Sequence, residues 1–258
     1  MSVNCKICGN ESKEIFNSSI LGKYNVCYYQ CSTCYFTQTE NPYWLGEAYN
    51  SALNIEDTGT MVRNLKFSTI LTTFLFIIFN KKARFVDWGG GYGIFTRLMR
   101  DIGFDFYWSD KYAQNLVARG FEYNNKMGKV DAVTAFEVFE HLENPVEELK
   151  SMLQITDTII FSTEPILYPA PNKNNWWYYA FEHGQHIAFY HTQTFKYLAK
   201  KFNLNYYSNG LNLHILSSKK LNPTIVKLIL RLSKYTYPIF KLFLKSKTNT
   251  DNVLLKRK

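Results

Sequence analysis

Arg84-Phe85-Val86-Asp87-Trp88-Gly89-Gly90-Gly91-Tyr92-Gly93 is the stretch that decides the fold. A short apolar run leads into an acidic residue, then into glycines at alternate positions. Ile94-Phe95-Thr96-Arg97-Leu98-Met99-Arg100 follows with helical spacing of its apolar residues. The reading is strand, tight turn, helix. Glycines in such a turn let a ligand approach the backbone where a Cβ would stand in the way. The carboxyl end of a strand in an open α/β sheet is also where nucleotide-like ligands bind. Spacing separates the classes that use such turns. The order is Asp-x-Gly-x-Gly-x-Gly rather than Gly-x-Gly-x-x-Gly, and no Gly-Lys-Ser/Thr follows. A carboxylate beside the turn repels a pyrophosphate but accepts from an ammonium group. The pattern therefore favours a cationic, adenosine-bearing ligand, S-adenosylmethionine. A glycine turn with no ligand is the simpler alternative.

Outward from this unit, strands and helices alternate. A helix is expected near Arg63 to Asn80, ahead of the glycine turn. Phe104-Asp105-Phe106-Tyr107-Trp108-Ser109-Asp110 alternates like a strand and ends in Asp110, 17 residues after Gly93. A carboxylate at the end of the second strand is placed to accept the hydroxyls of a ribose. Asp131 to Glu137 and Thr158 to Ser162 read as buried strands, with a helix from Pro145 to Gln154 between them. Thr192 to Phe202 is expected to be helical. Asn205–Tyr207 and Leu211–Ser217 flank Asn209-Gly210, a hairpin signal. The predicted architecture is an α/β fold, mostly parallel, with an antiparallel last strand.

Cys5-x-x-Cys8 and Cys31-x-x-Cys34 are two knuckles separated by 22 residues. Four thiolates in two such pairs suit tetrahedral zinc with every ligand supplied by protein, and disulfides are the weaker alternative in a reducing compartment. Cys27 is a fifth cysteine, open to competing as a ligand but read first as a small buried residue. The chain thus divides into a zinc ribbon over 1–42, a ligand-binding α/β domain over 43–220 and a tail over 221–258.

The 258 residues are 46% hydrophobic and 17% aromatic, which excludes a disordered chain. The net charge of +9 is uneven: eleven of the thirty basic residues, but one acidic residue of twenty-one, lie between Lys219 and Lys258. Lys227, Arg231 and Lys234 recur at helical spacing beside apolar residues. Two readings are open for this tail, a helix lying on an anionic membrane surface and a helix packed on the domain. No aromatic-and-basic recognition module marks a nucleic-acid partner. The apolar run Leu71 to Phe79 is too short to cross a bilayer. Met1 to Asn10 is polar, unlike a secretory leader, so the expected location is the cytoplasm.

Trp44 to Ser218 resembles the class I S-adenosylmethionine-dependent methyltransferases, in particular the branch that reads Ala-Phe-Glu-Val-Phe-Glu-His-Leu (Ala135–Leu142) followed by Asn144-Pro145. The amino-terminal ribbon with its Asn41-Pro-Tyr-Trp-Leu-Gly-Glu-Ala-Tyr49 connector is similar to the zinc-binding segment of sugar C-methyltransferases and of short relatives encoded with bacterial surface-polysaccharide genes. The resemblance implies that Asp87, Gly89, Gly91 and Gly93 shape the cofactor loop, that Asp110 binds the ribose, and that Glu137 lies beside the amino acid end of the cofactor. It also implies an acceptor that is a sugar, nucleotide sugar or other surface-glycan component. The larger sugar enzymes carry a further carboxyl-terminal domain, which this sequence does not show, so O-methylation is expected over C-methylation.

A hydroxyl acceptor needs a base, and histidine suits that task near neutrality. Three of the five histidines fall within Glu182-His183-Gly184-Gln185-His186-Ile187-Ala188-Phe189-Tyr190-His191. In the sugar C-methyltransferases a Glu-His pair precedes a tyrosine-rich stretch here. Two alignments fit, one through Glu182-His183 and one through Gln185-His186, and His186 is the favoured base. His191 is better suited to capping the next helix. Glu137-x-x-Glu140-His141 also resembles the cluster through which some RNA and quinone O-methyltransferases hold a divalent ion, with His183 or His186 as a further ligand. In other relatives the same string holds no metal. The rivals to a glycan acceptor are accordingly a lipid or quinone, an RNA, or a cofactor-binding adaptor with no activity. Trp176-Trp177-Tyr178-Tyr179 suits stacking on an acceptor ring and plugging of a lid equally well.

Overall fold

The computed structural model describes residues 2–49 and 57–257. Met1, Lys258 and residues 50–56 lie outside them. The chain opens with β1 (Ser2–Asn4), β2 (Glu11–Ile20), β3 (Tyr24–Cys31) and β4 (Thr37–Thr39), followed by one short helical turn, α1 (Leu45–Ala48), in the aromatic connector. Helix α2 (Thr60–Ile78) then leads through β5 (Arg84–Trp88) and α3 (Ile94–Ile102) to β6 (Asp105–Ser109), β7 (Ala132–Phe136), α4 (Pro145–Ile155) and β8 (Thr158–Ser162). The rest is β9 (Ala188–Phe189), α5 (Thr192–Lys201), β10 (Asn205–Ser208), β11 (Leu213–Ser217), α6 (Pro223–Lys241) and α7 (Thr248–Leu255).

Six strands form the main sheet in the order β10-β11-β8-β7-β5-β6. β6, β5, β7 and β8 are parallel, while β11 runs against β8 and β10 against β11. This is the expected mostly parallel sheet with a reversed strand near one edge. The pleat sorts side chains into two cores. Val86, Val133 and Ile159 face one side, with Leu149 and Met152 of α4 and Phe195 and Leu198 of α5. Phe85, Ala132 and Ile160 face the other, with Leu71 and Leu75 of α2, Met99 of α3 and Leu230 of α6. Strands covered on both faces need the unbroken apolar runs by which they were read.

The amino-terminal strands do not close on themselves. Their antiparallel sheet runs β1-β2-β3-β4-β9, so its last member comes from the histidine-bearing loop far along the chain. Cys5, Ile7, Val26 and Phe36 belong to the same core as Phe195 and Leu198. The Thr194 hydroxyl donates to the Cys34 carbonyl at 2.8 Å, adding a polar tie.

The apolar run at residues 71–79 belongs to the longer α2, which by length and composition alone could cross a membrane. Its Phe67, Leu71, Phe74 and Leu75 are buried in the protein core, as befits a core helix. α6 lies along it, with Thr73 and Thr236 hydroxyls 2.8 Å apart and Phe76 against Phe240. α6 continues through Pro238. Beyond it, α7 returns to α3: Asp251 is buried and takes a two-pronged hydrogen bond from Arg100 (2.8 Å to each oxygen) and another from Arg97 (2.9 Å). Arg100 also donates to Asp105 and to the Phe106 carbonyl and lies 3.7 Å from the centre of the Phe121 ring. A buried guanidinium with this many acceptors is fully satisfied. The tail is therefore part of the folded body.

Candidate active site

The glycine turn leaves β5 and enters α3 with Gly89, Gly91 and Gly93 all at positive φ. At Gly93 (φ +87°) a Cβ would fall 2.6 Å from the Asn115 side-chain oxygen, so both conformation and space demand glycine. Gly91 (φ +52°) differs, since nothing lies within 4 Å of where its Cβ would be. Its bare backbone faces a cavity of about 610 Å³ lined also by Gly89, Gly90, Glu137, His183 and His186.

Asp87 lines this cavity but is buried, and its two oxygens accept from the Thr96 and Thr134 hydroxyls at 3.0 and 3.1 Å. Burial pushes its carboxyl up to about 7, and the neighbouring Asp110 adds to the rise. Asp110 holds the turn together: one oxygen accepts from the Gly91 N–H at 2.9 Å, the other from the N–H groups of Tyr112 and Ala113. Gly93 and Asp110 stand behind the cavity wall and shape it, whereas Asp87, Gly89, Gly91 and Glu137 line it.

Glu137 follows β7 directly, at φ +53°, a left-handed conformation that is rare for glutamate. Ser162 fixes it from both sides, accepting from the Glu137 N–H at 2.9 Å and donating to its carboxylate at 2.5 Å. Burial pushes Glu137 up to about 7, with Glu140 as a second cause. Glu140 is fully buried and likewise pushed up to about 7 by burial. The Tyr178 and Thr163 hydroxyls approach it but bond each other at 3.2 Å, and neither Glu140 oxygen has a hydrogen-bond partner. Three raised carboxyls in one cavity suit a cationic ligand, whose charge would draw all three back toward ionisation.

The histidines differ from one another in tautomer. His186 Nδ1 donates to the Tyr178 carbonyl at 2.7 Å, and His141 Nδ1 to the Gln185 carbonyl at 3.0 Å. Each ring therefore turns an unprotonated Nε2 toward its other neighbours. His183 is the reverse: its Nδ1 accepts from the Gln185 N–H at 3.2 Å, so the proton resides on Nε2. Burial drives His186 well below the ordinary imidazole range, with His141 next in effect, and burial also lowers His141. His141 and His183 rings each lie 5.0 Å from that of His186. Ligand atoms of Glu140, His141 and His186 all fall within 4.8 Å of one another. Glu182 does not join them. It is exposed and outside the cavity wall, so the alignment through Glu182-His183 does not build a Glu-His pair there. His191 caps α5, accepting from the Gln193 N–H at 3.0 Å, as its position suggested.

The aromatic loop divides its labour. Tyr178 and Tyr179 are buried, packed on His186 and on Phe16 and Tyr28 of the ribbon. Trp177 lines the cavity and is 75% exposed. Arg63 and Lys66 of α2, and Asn212 bonded to Glu164 at 2.8 Å, complete the wall. These were not legible beforehand, because nothing in their local sequence marks which way they face.

The loop is held from the amino-terminal side. Trp44 Nε1 donates to the Gly184 carbonyl at 2.8 Å, Gln185 Nε2 to the Ala48 carbonyl at 2.7 Å, and Leu21 N–H to the Phe181 carbonyl at 3.0 Å. At the far end of the ribbon, Cys5 and Cys34 sulfurs lie 3.5 Å apart, as do Cys8 and Cys31, and all four fall within 4.8 Å. None is in a disulfide. Cys27 is not part of this group.

Over residues 63–209, more than half of its length, the sequence matches the family described as methyltransferase domain. The chain belongs to that family. It is an S-adenosylmethionine-dependent methyltransferase. No protein of curated function matches the sequence. Solved structures that resemble this methyltransferase include the plantazolicin methyltransferase BpumL with a monoazolic desmethylPZN analog and SAH (13% identity, 76% of this chain and 86% of that one, TM-score 0.48). The magnesium protoporphyrin IX methyltransferase of Synechocystis with SAH is another (14% identity, 67% and 90%, TM-score 0.41), as is TnmH (13% identity, 69% and 62%, TM-score 0.49). At these identities and scores none of them bears on the acceptor.

Proposed function

We propose that this methyltransferase transfers the methyl group to a hydroxyl of a sugar, nucleotide sugar or other surface-glycan component, with His186 as the base. The observation that carries the reading is the His186 ring, pinned through Nδ1 to the Tyr178 carbonyl, in the wall of the same cavity that Gly89, Gly90 and Gly91 line. A methyl donor held on the glycine turn would thus share one cavity with His186. The acceptor oxygen attacks the methyl carbon in line with the breaking S–CH₃ bond, the bonding pair returns to sulfur, and the hydroxyl proton passes to His186 Nε2. Alignment supplies much of the rate, and the base supplies a further factor. Trp177 offers an exposed ring face against which a sugar or nucleobase can stack, and Lys66 offers positive charge to a phosphate, whereas Arg63 is paired with Asp57. The resemblance of the ribbon and connector to those of sugar enzymes favours the glycan class. Incubation with labelled S-adenosylmethionine and separate pools of nucleotide sugars, membrane lipids and RNA tests this. Label is expected in the sugar pool, and label confined to RNA or lipid would replace the proposal.

One observation favours a second reading. A fully buried carboxylate with no partner, at Glu140, beside two imidazoles whose Nδ1–H groups are anchored on backbone carbonyls, has the donor set and outer bonds of a divalent-metal site. Glu140, His141 and His186 would be the ligands. A magnesium or manganese ion there would lower the acceptor hydroxyl's pKa, and His186 would then be a ligand and not the base. Turnover that survives EDTA while zinc is retained decides for the base.

We further infer that Cys5, Cys8, Cys31 and Cys34 hold a structural zinc ion. Zn–S bonds of about 2.3 Å place tetrahedral sulfurs about 3.8 Å apart, close to the 3.5 Å pairs seen here. The Cys34 thiol draws Cys5 down while Cys5 and burial hold Cys34 up, so one thiolate forms within the group and a bound cation would draw out the others. Because the ribbon pairs with β9 and grips the loop through Trp44, zinc would buttress the catalytic histidines from outside. Cys8→Ser is expected to drop zinc content below one per chain and lower the melting temperature and turnover together. Full zinc in that variant would sink the assignment.

A further inference from the structure

Helix α6 buries one side, through Val226, Leu230 and Ser233, yet a second apolar stripe stays outside. Ile225, Leu228, Leu232, Tyr235, Ile239 and Leu242 recur at intervals of three and four residues, so they share one face along the whole helix. They are 42 to 84% exposed. Phe243 extends the stripe beyond the helix and is also exposed. Lys227, Arg231, Lys234 and Lys241 run along one border of the stripe, between it and the buried face, with the Arg231 Nε–H donating to the Asn209 carbonyl at 2.9 Å. The charge is one-sided: the only carboxylate between Lys219 and Lys258 is Asp251, which is buried against Arg97 and Arg100. On α2, Val62 and Leu65 are exposed on the face that carries Thr73 and Phe76, the residues that touch α6. Arg63 and Lys66, next around that helix, line the active-site cavity. The apolar surface thus reaches the cavity rim.

We propose that this α2–α6 surface docks on an anionic lipid bilayer, the stripe entering the interface and the basic row meeting headgroups. An exposed apolar stripe bordered by lysine and arginine is the arrangement that holds a helix in the plane of a charged interface. A second copy of this chain is a poorer occupant. A two-fold contact sets a patch against itself, which would bring two basic rows together with no carboxylate from either tail to offset them. Bound in this way, the enzyme holds its cavity rim beside the headgroups, within reach of an acceptor carried on a lipid. This docking does not depend on the glycan reading, and it stands or falls separately.

Sedimentation of the full chain with phosphatidylcholine vesicles, with and without phosphatidylglycerol, tests the proposal. Binding is expected only with the anionic lipid, weakening as salt rises. The triple variant Leu228→Glu, Leu232→Glu, Ile239→Glu is expected to stay in the supernatant. Lys227→Ala with Lys234→Ala, which leaves the packed face intact, is expected to weaken vesicle affinity about thirtyfold, at about 1 kcal/mol per basic residue. That pair keeps the proposal testable if the glutamates prevent folding. Wild-type protein that ignores anionic vesicles overturns it, as does undiminished binding by the lysine variant. A dimer in sedimentation velocity that the glutamates dissolve assigns the surface to a second copy instead.

Discussion

His186→Ala is expected to lower kcat by roughly 10²- to 10⁴-fold, the range of a positioned acid–base group, while S-adenosylhomocysteine affinity stays within a few-fold of wild type. The cofactor loop at Gly89–Gly93 is built by Asp110, Trp108 and Asn115, none of which touches His186. Removing the imidazole therefore leaves that end of the cavity standing. His183→Ala should cost far less, because its Nδ1 already accepts from Gln185 and its Nε2 carries the proton. The pH profile follows from the depressed His186 pKa. Its base form is full at neutrality, so the rate should be flat from pH 7 upward on the basic side of that titration. The rate should then fall only below the ordinary imidazole range, as Nε2 takes a proton. Recovery of the His186→Ala variant by added imidazole is the sharpest sign of a base. Near-wild-type turnover in His186→Ala would remove the residue from the mechanism.

What could be read in the sequence beforehand, and what could not, follows a physical divide. β8 was legible to the residue because Thr158–Ser162 is an isolated apolar run buried on both faces. α5 was legible because His191 and Thr194 cap it locally. The glycine turn was legible because positive φ leaves a mark on residue type. β9 was not, since two residues of strand are defined wholly by their partner β4. The same holds for the His141–His186 approach, which joins positions 45 residues apart through the carbonyls of Tyr178 and Gln185. Sequence shows which side chains can act as ligand or base. Only the fold shows that Glu182 faces out and that His186 carries its proton on Nδ1. The tail was undecided for the same reason, as helical spacing gives two apolar faces to α6 without saying which one meets α2.

Glu140→Gln is expected to make the metal-free protein more stable at pH 8, by about 3 kcal/mol. The carboxyl titrates near 4.5 unfolded and at about 7 folded, and each unit of that difference is worth 1.36 kcal/mol. The sign follows from the raised value. A group with a raised folded pKa favours the native state below the unfolded pKa, and that advantage is lost as pH rises through about 7. Above this the native protein holds a buried carboxylate whose oxygens have no partner. Glutamine removes the charge at nearly constant volume, so the gain should shrink below about 1 kcal/mol at pH 5, where glutamate is already protonated in the fold. Denaturant midpoints at the two pH values measure it, and equal stability at pH 8 would show that Glu140 has a compensating partner after all. A residue that destabilises its own fold this much needs a use, and a cation is the natural one. If the partner is a divalent ion, manganese should raise the wild-type midpoint at pH 8 and leave the Glu140→Gln midpoint alone. If instead the carboxylate only balances the sulfonium of S-adenosylmethionine, manganese should do nothing to either protein. The cofactor should then stabilise wild type more than the variant at pH 8, and both about equally at pH 5, where Glu140 carries no charge to offer it.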